Sequence, residues 1–281
     1  MKVLGLFSGI GGFELGLQRA GYEIAATCEI DPYCRQVLAK HWPGVPCYED
    51  VRKLTAAVVR SIGARVLCGG FPCQDVSIAG DRAGLDGERS GLWFQMRRVI
   101  RAGRFEIVIV ENTTGLLDLG MGRVLADLAA LGYDAIWHGI PASAIGAAHQ
   151  RDRIWIIAYR RSERRGKRTN RDREHARQVL QNINGQLALS LAGCREQQSY
   201  ADPLACFGAR IPDGGAARAA YVRAALRRKP DGLSAELDAI GALGNAVVPP
   251  LTEMIGRAIL AGNFSAQAVA SPSVTEQEKQ K

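Results

Sequence analysis

The sequence contains no uninterrupted apolar run of the roughly 18 residues that a membrane-crossing helix requires. Its best runs, such as Ile154 to Tyr159, have the length of a strand. No CxxC pair occurs among its seven cysteines (Cys28, Cys34, Cys47, Cys68, Cys73, Cys194 and Cys206), and their number is odd. Free thiols are therefore expected instead of a disulfide framework, and no metal site is expected. There is no internal repeat. The N-terminal MKVLGLFSGIGG places one lysine before an apolar stretch that breaks into glycines after five residues, which reads as a first buried strand and not as an export signal. These absences exclude collagen, coiled coil, a secreted disulfide scaffold and a membrane-spanning chain. What is present is ordinary globular material: 281 residues, 47% hydrophobic and 23% charged. A chain of this length can bury about three quarters of its unfolded surface, so it needs no cross-links to fold.

The net charge of +8 is unevenly placed. Arg160 to Pro230 holds 16 Lys/Arg against 6 Asp/Glu, a net of +10, and the remainder holds 20 against 22, a net of −2. A concentrated basic block suits a polyanion such as nucleic acid, although a solvated insertion gives the same composition.

The first 160 residues alternate between short apolar runs and amphipathic stretches. Strands are expected at Val3–Phe7, Ile24–Ile30, Val45–Tyr48, Val66–Cys68, Phe105–Val110, Ala135–Ile140 and Ile154–Tyr159. Helices are expected at Gly11–Ala20, from Pro32 to His41 with Asp31 as N-cap, at Lys53–Ile62, at Gly91–Arg101 behind a Ser90 cap, and at Val124–Leu131. This alternation predicts an α/β fold with a doubly wound, mostly parallel sheet. The expected organisation is a catalytic and cofactor-binding domain over 1–159 and a small basic region over 160–238. A returning segment over 239–264, with a closing helix at Pro250–Ala261, and a disordered tail over 265–281 complete it.

Four places carry candidate chemistry. The first strand runs into Phe7-Ser8-Gly9-Ile10-Gly11-Gly12 at a helix start, where glycines admit a ligand close to the backbone and free N–H groups face it. Glu29, at the end of the second strand, is placed to accept both hydroxyls of a ribose. Without a clean GxGxxG spacing, a nicotinamide dinucleotide is not favoured. Asp50 closes the third strand, either for an adenine amino group or simply as a helix cap. The fourth strand ends in Gly69-Gly70-Phe71-Pro72-Cys73-Gln74, which presents a cysteine at the mouth of the sheet; nearby positive charge would be needed to activate it. Cys28, Cys34, Cys47 and Cys68 read as small buried hydrophobes. Glu111-Asn112-Thr113 follows the most apolar strand, so the carboxyl of Glu111 should be desolvated, with its pKa raised towards proton donation. Arg151 and Arg153, two residues apart before a strand, should share a face fitted to phosphate or carboxylate.

In this order the motifs resemble the C5-cytosine DNA methyltransferase family of bacterial and phage type, over residues 1–160 and 240–261. FSGIGGFELGL is similar to the cofactor loop, with Glu29 and Asp50 at the next two acidic positions. GGFPCQDVS is similar to the nucleophile loop, ENT to Glu-Asn-Val, and HQRDRIWIIA to the Gln-x-Arg-x-Arg block. GNAVVPPL (244–251) is similar to the C-terminal motif that completes the cofactor pocket. Two positions depart from the pattern: Thr113 replaces Val, and His149 stands where Gln is usual. No clear counterpart of the arginine-containing motif before the last one is visible, Arg210–Asp238 being the only candidate.

The resemblance implies a Rossmann-like methyltransferase that moves a methyl group from S-adenosylmethionine to C5 of a flipped cytosine, leaving S-adenosylhomocysteine, with no metal. It implies Cys73, Glu111, Arg151 and Arg153 as catalytic residues. It assigns Phe7, Ser8, Gly9, Gly11, Gly12, Glu29, Ile30, Asp50, Val51, Pro72, Leu92, Asn245 and Ala246 to the cofactor. Gln74 and Ser77 should close over DNA, and Arg160, Arg161, Arg164 and Arg165 of the basic run should meet phosphates. The expected partner is double-stranded DNA, with a cognate restriction endonuclease in the same system, for a cytoplasmic, nucleoid-associated monomer. Two readings compete: methylation of cytosine in transfer RNA by the same motifs, and a non-catalytic DNA-binding module on a degenerate methyltransferase fold. The intact catalytic set speaks against the second.

Overall fold

The computed structural model describes residues 1–72, 91–145, 151–161, 181–182, 242 and 245–268, with side chains of the last stretch to residue 261. Seven strands form one sheet: β1 (Lys2–Leu6), β2 (Glu23–Cys28), β3 (Cys47–Tyr48), β4 (Val66–Gly69), β5 (Ile107–Thr113), β6 (Tyr133–Pro141) and β7 (Asp152–Arg160). Between and after them come α1 (Gly12–Arg19), α2 (Pro32–His41), α3 (Ala56–Ser61), α4 (Leu92–Gly103), α5 (Leu116–Leu119), α6 (Met121–Ala130) and α7 (Pro249–Ala268). The strand order is β3-β2-β1-β4-β5-β7-β6. The first five positions are parallel, β7 runs antiparallel to β5, and β6 antiparallel to β7. The doubly wound, mostly parallel sheet expected from the alternation is therefore present.

Both faces of the sheet are covered, which is why its central strands are apolar throughout instead of alternating with polar residues. Leu4, Leu6, Leu67, Val108 and Val110 pack with Trp93, Met96 and Ile100 of α4 and with Val124 and Leu128 of α6. Their strand neighbours Val3, Val66, Ile107 and Ile109 turn to the other side, against Phe13 and Leu17 of α1 and Leu251, Ile255 and Ile259 of α7. The C-terminal helix is thus part of the same core as the first strand.

Element limits differ from expectation where local chemistry intervenes. Asp31 caps α2 as expected, its carboxylate accepting the N–H groups of Tyr33 (2.7 Å) and Cys34 (3.3 Å). The single helix expected over Lys53–Ile62 is instead a 3₁₀ turn, Val51–Lys53, followed by α3, because the Thr55 hydroxyl accepts the Val58 N–H (3.3 Å) and starts a new helix. β5 extends three residues beyond Val110, since Glu111, Asn112 and Thr113 pair with Trp155, Ile154 and Arg153 of β7. The closing helix, expected over Pro250–Ala261, runs from Pro249 to Ala268. Ser90 and nearly all of the 160–238 region lie outside the described residues. No helix among the described residues is long and apolar enough to cross a membrane.

Candidate active site

The chain winds outward from β1 to β2 and β3, then returns to place β4 on the other side of β1. The crevice beyond the carboxyl ends of β1 and β4 is consequently the switch point of the sheet, where folds of this architecture bind ligands. The two glycine-rich stretches singled out in the sequence meet there.

On the β1 side, Phe7, Gly9 and Gly11 all take left-handed backbone angles (φ 55°, 54° and 90°). Gly11 has no alternative, because a Cβ would also strike the ring of Trp42. Glu29 lies across this loop, its carboxylate accepting the Gly9 N–H at 2.7 Å and the Asp31 N–H at 2.8 Å. Arg35 donates to the carbonyls of Glu29 (3.3 Å) and Ile30 (2.6 Å) and fixes the turn that presents both residues. Ile30 is 64% exposed although apolar, an open flat surface beside the carboxylate. Asp50 caps the 3₁₀ turn: it accepts the Arg52 N–H (2.9 Å) and pairs with the Arg52 guanidinium (2.9 Å), which holds it below the usual carboxylate range. Val51 is buried, and its carbonyl accepts from Arg98 (2.7 Å).

On the β4 side, Gly70 lies against Glu111, whose Oε2 would stand 2.8 Å from a Cβ at that position. Asn112 donates to the Phe71 carbonyl (3.2 Å) and so ties the stretch leading to Pro72 onto β5. Glu111 is buried and paired with Arg153, Nε to Oε1 at 2.9 Å. Burial pushes its carboxyl pKa upward, while Arg153 first and Arg151 second pull it back. Both arginines therefore act on Glu111, yet they are held differently. Arg151 takes a left-handed φ of 37° and donates from Nη2 to the Ala246 carbonyl at 2.8 Å, joining this strand to the returning C-terminal segment.

That segment closes the crevice from the third side. The Val247 carbonyl lies where a side chain on Gly12 would be, and the Thr252 hydroxyl reaches the carbonyls of Pro249 (2.8 Å) and Gly12 (3.3 Å). Asn245 is exposed, while Ala246, Pro72 and Leu92 are half-buried. Cys73, Gln74, Ser77 and His149 lie outside the described residues, as do Arg164 and Arg165. Burial lifts the Cys28 thiol to about 12 and that of Cys68 well above its usual value, so neither ionises near neutrality.

Two expected DNA contacts are not brought to this crevice. Arg160 and Arg161 sit at the far end of β7, roughly 23 Å along the strand from Arg153 at about 3.3 Å per residue. There they donate to the carbonyls of Arg104 (2.8 Å) and Ala129 (2.5 Å). Two contributors were missed in the sequence. Asn112 was read only as part of ENT, and its grip on Phe71 is a contact over 41 positions that no local pattern reports. Glu14 was overlooked although it falls between Phe13 and Leu17 on the buried stripe of α1, a helical spacing that was legible.

A doubly wound sheet with a buried acid and two arginines beside its switch point is the frame in which the comparisons stand. A sequence model of the family described as C-5 cytosine-specific DNA methylase matches residues 1–198, and the chain belongs to that family. Over 166 residues it is 36% identical to the Type II methyltransferase M2.BsuMI of Bacillus subtilis, covering 56% of this chain and 42% of that one. It is 30% identical over 178 residues to the Type II methyltransferase M.AquIA of a Picosynechococcus strain, covering 57% of this chain and 72% of that one. The chain thus spans less than half of the first relative and most of the second. Its fold is similar to that of the Entamoeba histolytica methyltransferase EhMeth, with a TM-score of 0.61 at 12% identity, covering 93% of this chain and 98% of that one.

Proposed function

We propose that this protein is a DNA (cytosine-5-)-methyltransferase that uses S-adenosylmethionine and forms a covalent bond between Cys73 and C6 of a flipped cytosine. The observation that carries the reading is the buried Glu111–Arg153 pair, packed against Gly70, three residues before Cys73 in the chain, and one strand away from the loop that Glu29 spans. The residues present fit the cofactor. Glu29 offers a carboxylate for the ribose hydroxyls, Ile30 an open apolar face for the adenine, and the left-handed turn at Gly9 and Gly11 exposes backbone to the methionine end. Phe7, Ser8, Gly12, Pro72 and Leu92 would line the remaining walls, Asn245 and Ala246 would close them, and Asp50 and Val51 would flank the adenine. When bound, S-adenosylmethionine supplies a methyl group on a positively charged sulfur.

The chain's own groups then divide the work. The Cys73 thiolate adds to C6, which breaks the aromaticity of the ring and makes C5 nucleophilic. Glu111, its pKa raised by burial, donates to N3 and accepts from the 4-amino group as electrons enter the ring. Arg153 holds the Glu111 carboxyl in place, and Arg151 ties this edge to the segment carrying Asn245 and Ala246. After methyl transfer, loss of the C5 proton and elimination of Cys73 restore the ring. The base is inaccessible inside a duplex, so it must leave the stack. The +10 block favours a polyanionic substrate, with Arg164 and Arg165 on phosphates, Gln74 and Ser77 over the flipped base, and specificity residing further along 160–238. A cognate restriction endonuclease is consistent with the Type II names of the relatives.

The test uses purified protein, labelled S-adenosylmethionine and either duplex DNA or transfer RNA. Transfer to DNA is expected, lost in Cys73→Ala with cofactor binding retained. DNA carrying 5-fluorocytosine should trap the wild type covalently, because fluorine cannot leave as a proton. Methylation of DNA by Cys73→Ala would remove the covalent step, and transfer to RNA alone would replace the substrate.

A further inference from the structure

Glu14 is a charged residue type with no exposed surface at all, on the face of α1 that packs against the sheet. Its carboxyl lies over Gly5 of β1, and any side chain there would collide with it, so the fold reserves the space. Both of its oxygens and the adjacent Ser8 hydroxyl are cut off from solvent, and the bond Ser8 offers the carboxyl falls short of good geometry. A buried carboxyl is normally paired or bonded, and an unsatisfied one costs stability, so its place directly beneath the Phe7–Gly12 loop calls for a compensating role. The groups facing it from each neighbouring element are Ser8 at the end of β1, Glu29 at the end of β2 and Cys68 on β4. None is a cation.

We infer that Glu14 is a buried counter-charge for the cofactor: it ionises fully when the positively charged sulfur of S-adenosylmethionine enters the loop and stays about half protonated near neutrality when the neutral thioether S-adenosylhomocysteine replaces it. The inference rests on the cofactor assignment above and adds a residue that distinguishes cofactor from product. Linkage makes the effect reciprocal, since a ligand that favours the ionised form binds better where that form is available. Burial places Glu14 near 7, where a small bias changes its charge. In surroundings of effective dielectric about 20, a unit positive charge would make roughly a tenfold change in its acidity if it stood about 10 Å away. At pH 7 this corresponds to about a fivefold advantage for S-adenosylmethionine over S-adenosylhomocysteine, relative to a protein that cannot ionise there.

Calorimetric titration of both ligands between pH 6 and 7.4, in buffers of different ionisation enthalpy, reads the proton count directly and needs no turnover. Wild type is expected to release about half a proton more with S-adenosylmethionine than with S-adenosylhomocysteine. Glu14→Gln, which keeps the shape, should abolish that excess and lower the S-adenosylmethionine to S-adenosylhomocysteine affinity ratio by about fivefold at pH 7. Binding of both ligands by wild type with equal proton counts overturns the inference and leaves the methyltransferase reading intact. An excess that persists in Glu14→Gln assigns the proton elsewhere and overturns it as well. If wild type binds neither ligand, the cofactor reading itself falls, and this inference with it.

Discussion

The same buried carboxyl makes a prediction about the protein without ligand. Glu14 has an ordinary value of 4.5 in the unfolded chain and about 7 when folded, raised chiefly by loss of solvent and slightly by Glu29, with Ser8 opposing. The folded state therefore holds its proton more tightly than the unfolded state, and the neutral form is the one that folding favours. The associated stability is complete below pH 4.5 and declines as pH rises, until about 7, beyond which the loss is complete. At 1.36 kcal/mol per pH unit the whole loss is about 3 kcal/mol, of which about 2 kcal/mol should develop between pH 5.5 and 8.5. Glutamine cannot ionise, so Glu14→Gln should lack this component and become the more stable protein in alkali. Urea unfolding at pH 5.5, 7 and 8.5, for both proteins, isolates the effect as a change in their difference, because every other titrating group is common to the two. Parallel stability curves over that range would refute the burial argument, and with it the idea that the carboxyl is still partly protonated near neutrality in the resting protein.

Two further outcomes concern the crevice and the joint behind it. Glu29→Ala should weaken S-adenosylmethionine binding by about 1.5–3 kcal/mol, the usual cost of losing a charge-assisted hydrogen bond, and should also loosen the loop, because the Gly9 and Asp31 N–H groups lose their acceptor; a titration showing undiminished affinity would take Glu29 out of the ribose site. Gly16→Ala should destabilise by about 1–3 kcal/mol, even though alanine favours a helix interior by about 1 kcal/mol, because the new methyl meets the Thr252 hydroxyl, the Pro249 carbonyl and the Glu253 nitrogen of α7. A rise in the thermal midpoint of Gly16→Ala would show that α7 is free to shift.

What was legible in the sequence follows from how locally each feature is encoded. The alternation of apolar runs with amphipathic stretches is a local pattern with a physical cause at every step, and it gave the parallel sheet and its two covered faces. Capping was legible for the same reason: Asp31 followed by Pro32 specifies a helix start through contacts two and three residues away. The break at Thr55 shows the limit of that reading, since an apolar rhythm over Lys53–Ile62 continues through a residue whose hydroxyl restarts the helix. The antiparallel pairing that extends β5 through Thr113 could not be read, because it depends on β7, forty residues later.

The site divides along the same line. Residue types at strand ends were sufficient to nominate Glu29, Glu111 and Arg153, because a strand end in this architecture has one destination. The bonds that hold the frame around those residues come from distant segments: Asn112 reaching Phe71, Arg151 reaching Ala246, and Thr252 reaching Gly12. These three bonds join the Phe7–Gly12 loop, the lead-in to Cys73 and the C-terminal segment into one frame around the switch point. A change at any one should therefore be felt at the other two. The returning C-terminal segment is accordingly structural to the site and not an appendage: Gly12 and Gly16 are small because α7 and its approach occupy the space where their side chains would be. Charge alone reports no position in the fold. Arg160 and Arg161 begin the most basic stretch of the sequence, and they donate to backbone carbonyls at the end of β7 away from the switch point, a placement that follows from β7 and not from their charge.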